Sequence, residues 1–183
     1  VDDYDAWTTD ENTDEDDDYL VEVIRERYPD STVKIEREVT QDTQGNYINH
    51  GSWKMWDEQG TAVAEGQYHL GDRDGVWTRW YRTRDARIFS QPPFNQYAGP
   101  YVSQATFTAG ELDGEWAIYD SKQRKVSSIM FKDGERNGPA VWWYANGQKK
   151  FEAVYADGVI DGELTEWEAD DNVANAETYQ DGH

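Results

Sequence analysis

Along most of this chain apolar and polar residues alternate with a period of two, the pattern of strands with two unlike faces. In residues 32–39 (TVKIEREV) Val33, Ile35, Arg37 and Val39 fall on one side, and Lys34, Glu36 and Glu38 on the other. Tyr19–Tyr28 (YLVEVIRERY) alternates in the same way and is rich in β-branched residues, so it reads as a strand. Pro29-Asp30-Ser31 between the two runs is turn chemistry. Thr40–His50, carrying Gly45-Asn46, reads as a lengthened turn. Farther on, short runs begin after Gly51, Gly75, Gly114, Gly138 and Gly162. Their second position holds Trp53, Trp77, Trp116, Ala140 and Leu164, and their fifth holds Trp56, Trp80, Tyr119, Trp143 and Trp167. Positions two and five differ by an odd number, so they face opposite sides of a strand. A turn follows each run, clearest at Asn146-Gly147. A second short strand then ends at Tyr68, Phe107, Phe131, Tyr155 or Tyr179.

These last five aromatics open a phrase, aromatic-x-x-Gly-x-x-x-Gly, that returns at a fixed interval. Phe107, Phe131, Tyr155 and Tyr179 are spaced by 24 residues, as are Gly114, Gly138 and Gly162. Tyr68 precedes Phe107 by 39, which is one period plus a 15-residue insertion near residues 82–97. Such regular self-similarity marks a repeat array. The expected fold is all-β: an elongated, single-layer antiparallel sheet of consecutive hairpins. Units fall near 19–50, 51–74, 75–113 (with the insertion), 114–137, 138–161 and 162–183. The Gly-xxx-Gly segment is expected to supply the tight return between units. The rings at position five, Trp56, Trp80, Tyr119, Trp143 and Trp167, are expected to stack as one column. Burying one such ring removes roughly 150–250 Å² from water, an upper limit of about 4–6 kcal/mol before entropy.

Composition fits an array. Only 37% of the 183 residues are hydrophobic, yet there are nine Trp and twelve Tyr, which stacked units can bury without a large aliphatic centre. No apolar run approaches the length of a membrane span. Cysteine is absent, which removes disulfides and thiolate metal sites. The chain opens at Val1, as a chain does once an export signal is removed. Periplasm or cell envelope is therefore the expected location, with the cytoplasm as the alternative.

The net charge of −21 is uneven: residues 1–18 hold ten carboxylates and no base. That segment reads as an acidic N-terminal tail. Asp10, Asn12, Asp14 and Asp16 have the spacing of a calcium loop, but Glu15 and Val21 stand where Gly and a bidentate Glu are needed. Tyr4 and Trp7 form an aromatic pair that can hook into a partner's groove. Residues 19–183 carry 28 acids against 17 bases, a surface that repels nucleic acid and anionic membranes. Within the insertion, Arg82, Arg84 and Arg87 make a local basic patch, and Phe89, Phe94 and Tyr97 surround Pro92-Pro93. Two readings stand open. The loop folds back on the sheet and uses its rings for packing, or it presents them to a partner.

The phrase, the x-Trp-x-x-Trp/Tyr run after it and Asn146-Gly147-Gln148 together resemble the MORN-repeat variant family, over residues 51–182 closely and 19–50 loosely. The resemblance implies a curved sheet of hairpins used for protein–protein or membrane contacts, and some bacterial members are labelled antitoxin-like.

No catalytic constellation is present. The histidines are His50, His69 and His183, the first two at turn positions and the last terminal. Asp74, Asp113 and Asp161 precede Gly as repeat equivalents, so they read as Asp-Gly turns rather than paired catalytic carboxylates. No cofactor is expected. The functional expectation is a non-enzymatic scaffold, an exported or envelope-associated accessory subunit that binds proteins. The alternatives are a carbohydrate or cell-wall module using exposed rings, and an antitoxin-like neutralising partner. An array of hairpins also has two open edges, so end-to-end self-association is a further expectation.

Overall fold

The computed structural model describes residues 19–82, 88–91 and 94–183. Twelve strands join in sequence order into one antiparallel sheet. They are β1 (Glu22–Arg27), β2 (Val33–Gln41), β3 (Tyr47–Trp56), β4 (Ala62–His69), β5 (Asp72–Tyr81) and β6 (Tyr101–Thr108). The second half comprises β7 (Glu111–Tyr119), β8 (Lys125–Lys132), β9 (Glu135–Trp143), β10 (Lys149–Ala156), β11 (Val159–Trp167) and β12 (Val173–Tyr179). Helical structure among the described residues amounts to two 3-10 turns, Ile88–Ser90 and Phe94–Gln96. The expected class, a single open sheet of consecutive hairpins, is what the chain adopts.

Two kinds of turn alternate, one at each end of the strands. At one end the chain needs a two-residue reversal with positive φ at both residues, as at Asp133-Gly134 (49° and 80°). That is the primed geometry whose twist matches the strands it joins. At the other end the turn is longer and closes on itself. Tyr144 N–H donates to Gln148 C=O (2.8 Å) and Gly147 N–H to Tyr144 C=O (2.9 Å). Tyr28, Ser31 and Thr32 repeat both bonds at 2.9 Å, so the first hairpin does share the later layout. Residues 40–50 depart from the lengthened turn expected of them. β2 runs on to Gln41 and β3 begins at Tyr47, with the Asp42 carboxylate accepting the backbone N–H groups of Gln44 and Asn46 at 2.8 Å each. Polar composition hides strand pairing there.

The second glycine of the phrase corrects another expectation. It is not in the return but inside the next strand, at a register jump. Ala105 pairs with Trp116 and Phe107 with Leu112, leaving extra residues around Gly114 at φ 118°. A side chain there would meet Thr106 Cβ at 3.1 Å. The two markers that define the repeat then face each other across neighbouring strands. Gly51 pairs with Tyr68, Gly75 with Phe107, Gly114 with Phe131, Gly138 with Tyr155 and Gly162 with Tyr179. Each ring lies opposite a residue with no side chain to obstruct it, which is how an aromatic neighbour compensates a glycine in a sheet.

Directly opposed residues share a face. Following the pairs from β3 to β11, with Gly66 meeting Trp77 by contact where the β4–β5 register jumps, one row reads Trp53, Gly66, Trp77, Ala105, Trp116, Ile129, Ala140, Ala153 and Leu164. Trp53 opposes Gly66, and Trp77 and Trp116 both oppose Ala105, so on those sides the bulky rings spread over small neighbours. Ring contacts run along this row and the glycine–aromatic row beside it. Trp77 lies 5.4 Å from Trp53, 5.0 Å from Tyr68 and 6.4 Å from Phe107, and Trp116 lies 6.0 Å from Phe131. The position-five column does not behave this way. Trp56, Trp80, Tyr119, Trp143 and Trp167 are half-buried, and among the described residues no ring contact joins any two of them. They do lie on the face opposite position two, as Trp80 pairing with Val102 and Trp77 with Ala105 shows.

Candidate functional site

The insertion is built onto the face that carries Trp53 and Trp77. It replaces the longer turn between β5 and β6 and folds back over the sheet. Phe89 stacks on Tyr101 at 4.2 Å and 17°, and meets Tyr81 and Phe94 edge-on, each at 5.1 Å. Phe89, Tyr97, Tyr101 and Val126 form a buried cluster, with Val126 wholly inaccessible. Tyr101 hydroxyl donates to Phe94 C=O (2.7 Å), and Ser121 N–H donates to Ala98 C=O (3.0 Å).

Tyr97 ties the insertion to a more distant hairpin. Its hydroxyl donates to Trp143 C=O. In two other hairpins the residue that opens the longer turn does this for the next hairpin: Tyr28 donates to Trp56 C=O (2.9 Å), and Tyr144 to Trp167 C=O (2.8 Å). In the β7–β8 hairpin that position is Asp120, which has no hydroxyl, and Tyr97 supplies it instead. Burial first, and the neighbouring Asp120 carboxylate, push the Tyr97 phenol up to about 12, although Arg124 opposes the shift. Asp120 is itself fully buried. Burial alone would raise its pKa. Hydrogen bonds from the Arg124 side chain and from the backbone N–H groups of Arg124 and Lys122 outweigh that and hold it below the ordinary carboxylate range. Arg124 also donates to Ala145 C=O, so one turn is locked to the next.

The partner-contact candidates divide accordingly. Tyr4, Trp7, Arg84 and Arg87 lie outside the described residues. Phe89 and Tyr97 are buried and Phe94 is half-buried, so these rings serve packing. Arg82 is ion-paired with Asp57 and donates to Gln59 Oε1 at 3.0 Å, which fastens the start of the insertion to the β3–β4 turn.

Beside the insertion, toward the N-terminal strands, the same face opens into a groove of about 520 Å³ over β3–β6. Trp53, Met55, Trp77, Ala105 and Phe107 give it an apolar lining, and Arg73 and Arg79 border it. The Arg73 guanidinium lies 4.6 Å over Trp77 and 5.3 Å over Phe107, and that of Arg79 lies 5.2 Å over Tyr81. Both arginines are exposed, and among the described residues neither has a carboxylate within ion-pair distance. On the other side of the insertion a shallower hollow of about 450 Å³ is lined by Trp142, Tyr144, Lys150, Phe151, Glu166 and Trp167. Among the described residues no group of three or more His, Asp or Glu side chains could hold a metal ion. No helix among them is long and apolar enough to cross a membrane.

Sequence reasoning passed over Arg73 and Arg79. The signal was available: Arg73, Trp77, Arg79 and Tyr81 share the parity of one strand, but positions two and five were read without the residues between them. Comparison with family models and with curated proteins finds no match to this chain.

Proposed function

We propose that this protein is a non-enzymatic repeat scaffold of MORN-like design that binds other proteins through the face carrying Trp53 and Trp77. One observation carries the reading. The insertion's described rings are used inside the fold, and the same face beside it keeps an apolar groove bordered by two arginines with no ionic partner among the described residues. Exposed guanidinium groups and half-buried indoles are the groups that dominate binding energy at protein interfaces. A regular sheet also holds them in fixed places, which lowers the ordering cost of association. Trp77 is only 8% exposed and lies beneath Arg73, so it offers no open ring to a sugar. This favours a protein partner over a glycan.

The scaffold is placed in the cell envelope or periplasm as an accessory subunit of a larger assembly. Chemical crosslinking in the native source, followed by mass spectrometry, tests both statements. Arginine-directed crosslinks from Arg73 or Arg79, at the border of the groove, to a distinct envelope protein are expected. Recovery of the chain crosslinked to nothing would remove the scaffold reading, and fractionation with cytoplasmic markers would remove the location.

A further inference from the structure

We propose that the groove over β3–β6 takes an extended, largely apolar peptide segment bearing two isolated carboxylates, one for Arg73 and one for Arg79. This rests on the scaffold reading and names the chemistry of its partner.

The argument begins with charge. Four of the eight described arginines have no carboxylate within ion-pair distance among the described residues; Arg27 donates to Ser31 C=O and Arg136 lies over Tyr155, while the other two, Arg73 and Arg79, border one groove. Arg73 lies over Trp77 and Phe107, and Arg79 over Tyr81. Each guanidinium has an N–H edge that grips a carboxylate through two parallel hydrogen bonds, and no described carboxylate is within ion-pair distance of it. The ring contacts hold that edge in place before any ligand arrives.

Spacing gives the second constraint. The arginines are six positions apart on one strand with the Gly75 register jump between them, so their Cα atoms are separated by no more than about 20 Å. An extended peptide advances roughly 3.3–3.6 Å per residue. Carboxylates five to seven residues apart match that span. Between the arginines the groove offers Trp77, Ala105, Ala64 and Met55, which suits apolar side chains.

The acidic surroundings set the third constraint. Dense polyanions, nucleic acid included, meet repulsion from the rest of the surface beyond the reach of two arginines. A segment with two carboxylates among apolar residues does not. Asp57, in the groove lining near the insertion, is ion-paired with Arg82, so the pair adds no net charge.

Fluorescence anisotropy on the full chain tests this, using labelled peptides of Val, Thr and Ala of about twelve residues with two Glu at varied separation. Binding is expected to be tightest at a separation near six, and to weaken at least about tenfold when both Glu become Gln. R73Q and R79Q should each weaken it about tenfold with the far-UV circular dichroism spectrum unchanged. R73K should recover only part, because an ammonium lacks the planar fork. K132Q, a change of equal charge at the far end of β8, should bind like the unaltered chain. Equal binding of Glu and Gln peptides, or indifference to separation, overturns the proposal even without the variants. So does concentration-dependent self-association that R73Q abolishes, since the groove then belongs to a second copy. If a crosslinked native partner stays bound to R73Q and R79Q, the scaffold reading survives and this inference fails. If the peptide binds as expected and no native partner exists, the groove's chemistry stands and the scaffold reading fails.

Discussion

The indole of Trp77 occupies the space that a side chain on Gly66 would need. A methyl group at residue 66 would lie 2.3 Å from Cδ2 of that ring. Trp77 Nε1–H also donates to Gln67 C=O at 3.0 Å, so the ring is fixed in position as well as buried. Gly66→Ala is therefore expected to cost about 1–3 kcal/mol by overpacking. Trp77→Ala should cost about 3–5 kcal/mol. In the double variant the alanine at 66 should add little, because the ring it displaces is gone. Urea denaturation followed by circular dichroism measures the cycle, and simple additivity would refute the shared space. Trp80→Ala and Trp143→Ala, at half-buried rings outside the contact rows, should cost less than Trp77→Ala.

Gly114 and Gly147 both need positive φ, at 118° and 92°, but only Gly114 is crowded. Alanine at 147 meets nothing within 4 Å and bears only the left-handed strain of about 1–2 kcal/mol. Alanine at 114 bears that strain and also presses on Thr106. The variant Gly114→Ala should melt at the lower temperature, and differential scanning calorimetry gives the order directly.

Tyr97→Phe and Tyr144→Phe each delete one hydroxyl that donates to the carbonyl of a later hairpin. Each should cost about 1 kcal/mol. Tyr97 carries a second signature. Its folded pKa is raised, so the fold favours the neutral phenol, and stability falls as pH rises above the ordinary tyrosine value of about 10 toward about 12. Tyr101 and Tyr179 are also raised, but absorbance titration should show a tyrosine ionising at about 12 that Tyr97→Phe removes. Its persistence in that variant would reject the assignment.

Asp120 contributes to the acid limb. Its folded pKa is depressed, so its contribution is fully present above the unfolded value of about 3.9 and is lost as pH falls through the lower folded one. Asp120→Asn should be less stable at neutral pH and should flatten the loss of stability below about pH 4. A variant that kept the full acid slope would show that another carboxylate causes it.

The repeat period, the all-β class and the hairpin order followed from residue spacing alone. Alternation is a local property, and a fixed interval of 24 forces equivalent residues into equivalent places. Position two and position five likewise had to face opposite sides. Which of them packs is not a local matter. Trp77 is buried because Gly66 and Ala105 lie beside it on neighbouring strands, and a residue 11 or 28 positions away cannot be read as a neighbour before the register is known. The pairing of each phrase aromatic with the second glycine of the previous phrase was hidden for the same reason. The use of the insertion was also decided in three dimensions: Tyr97 completes a bond to Trp143 that the β7–β8 hairpin lacks, 46 residues along the chain. With the insertion's rings spent on packing, the face beside it, bordered by Arg73 and Arg79, keeps an open groove. Periodicity sets what each strand is, while burial and charge pairing depend on which strands lie side by side.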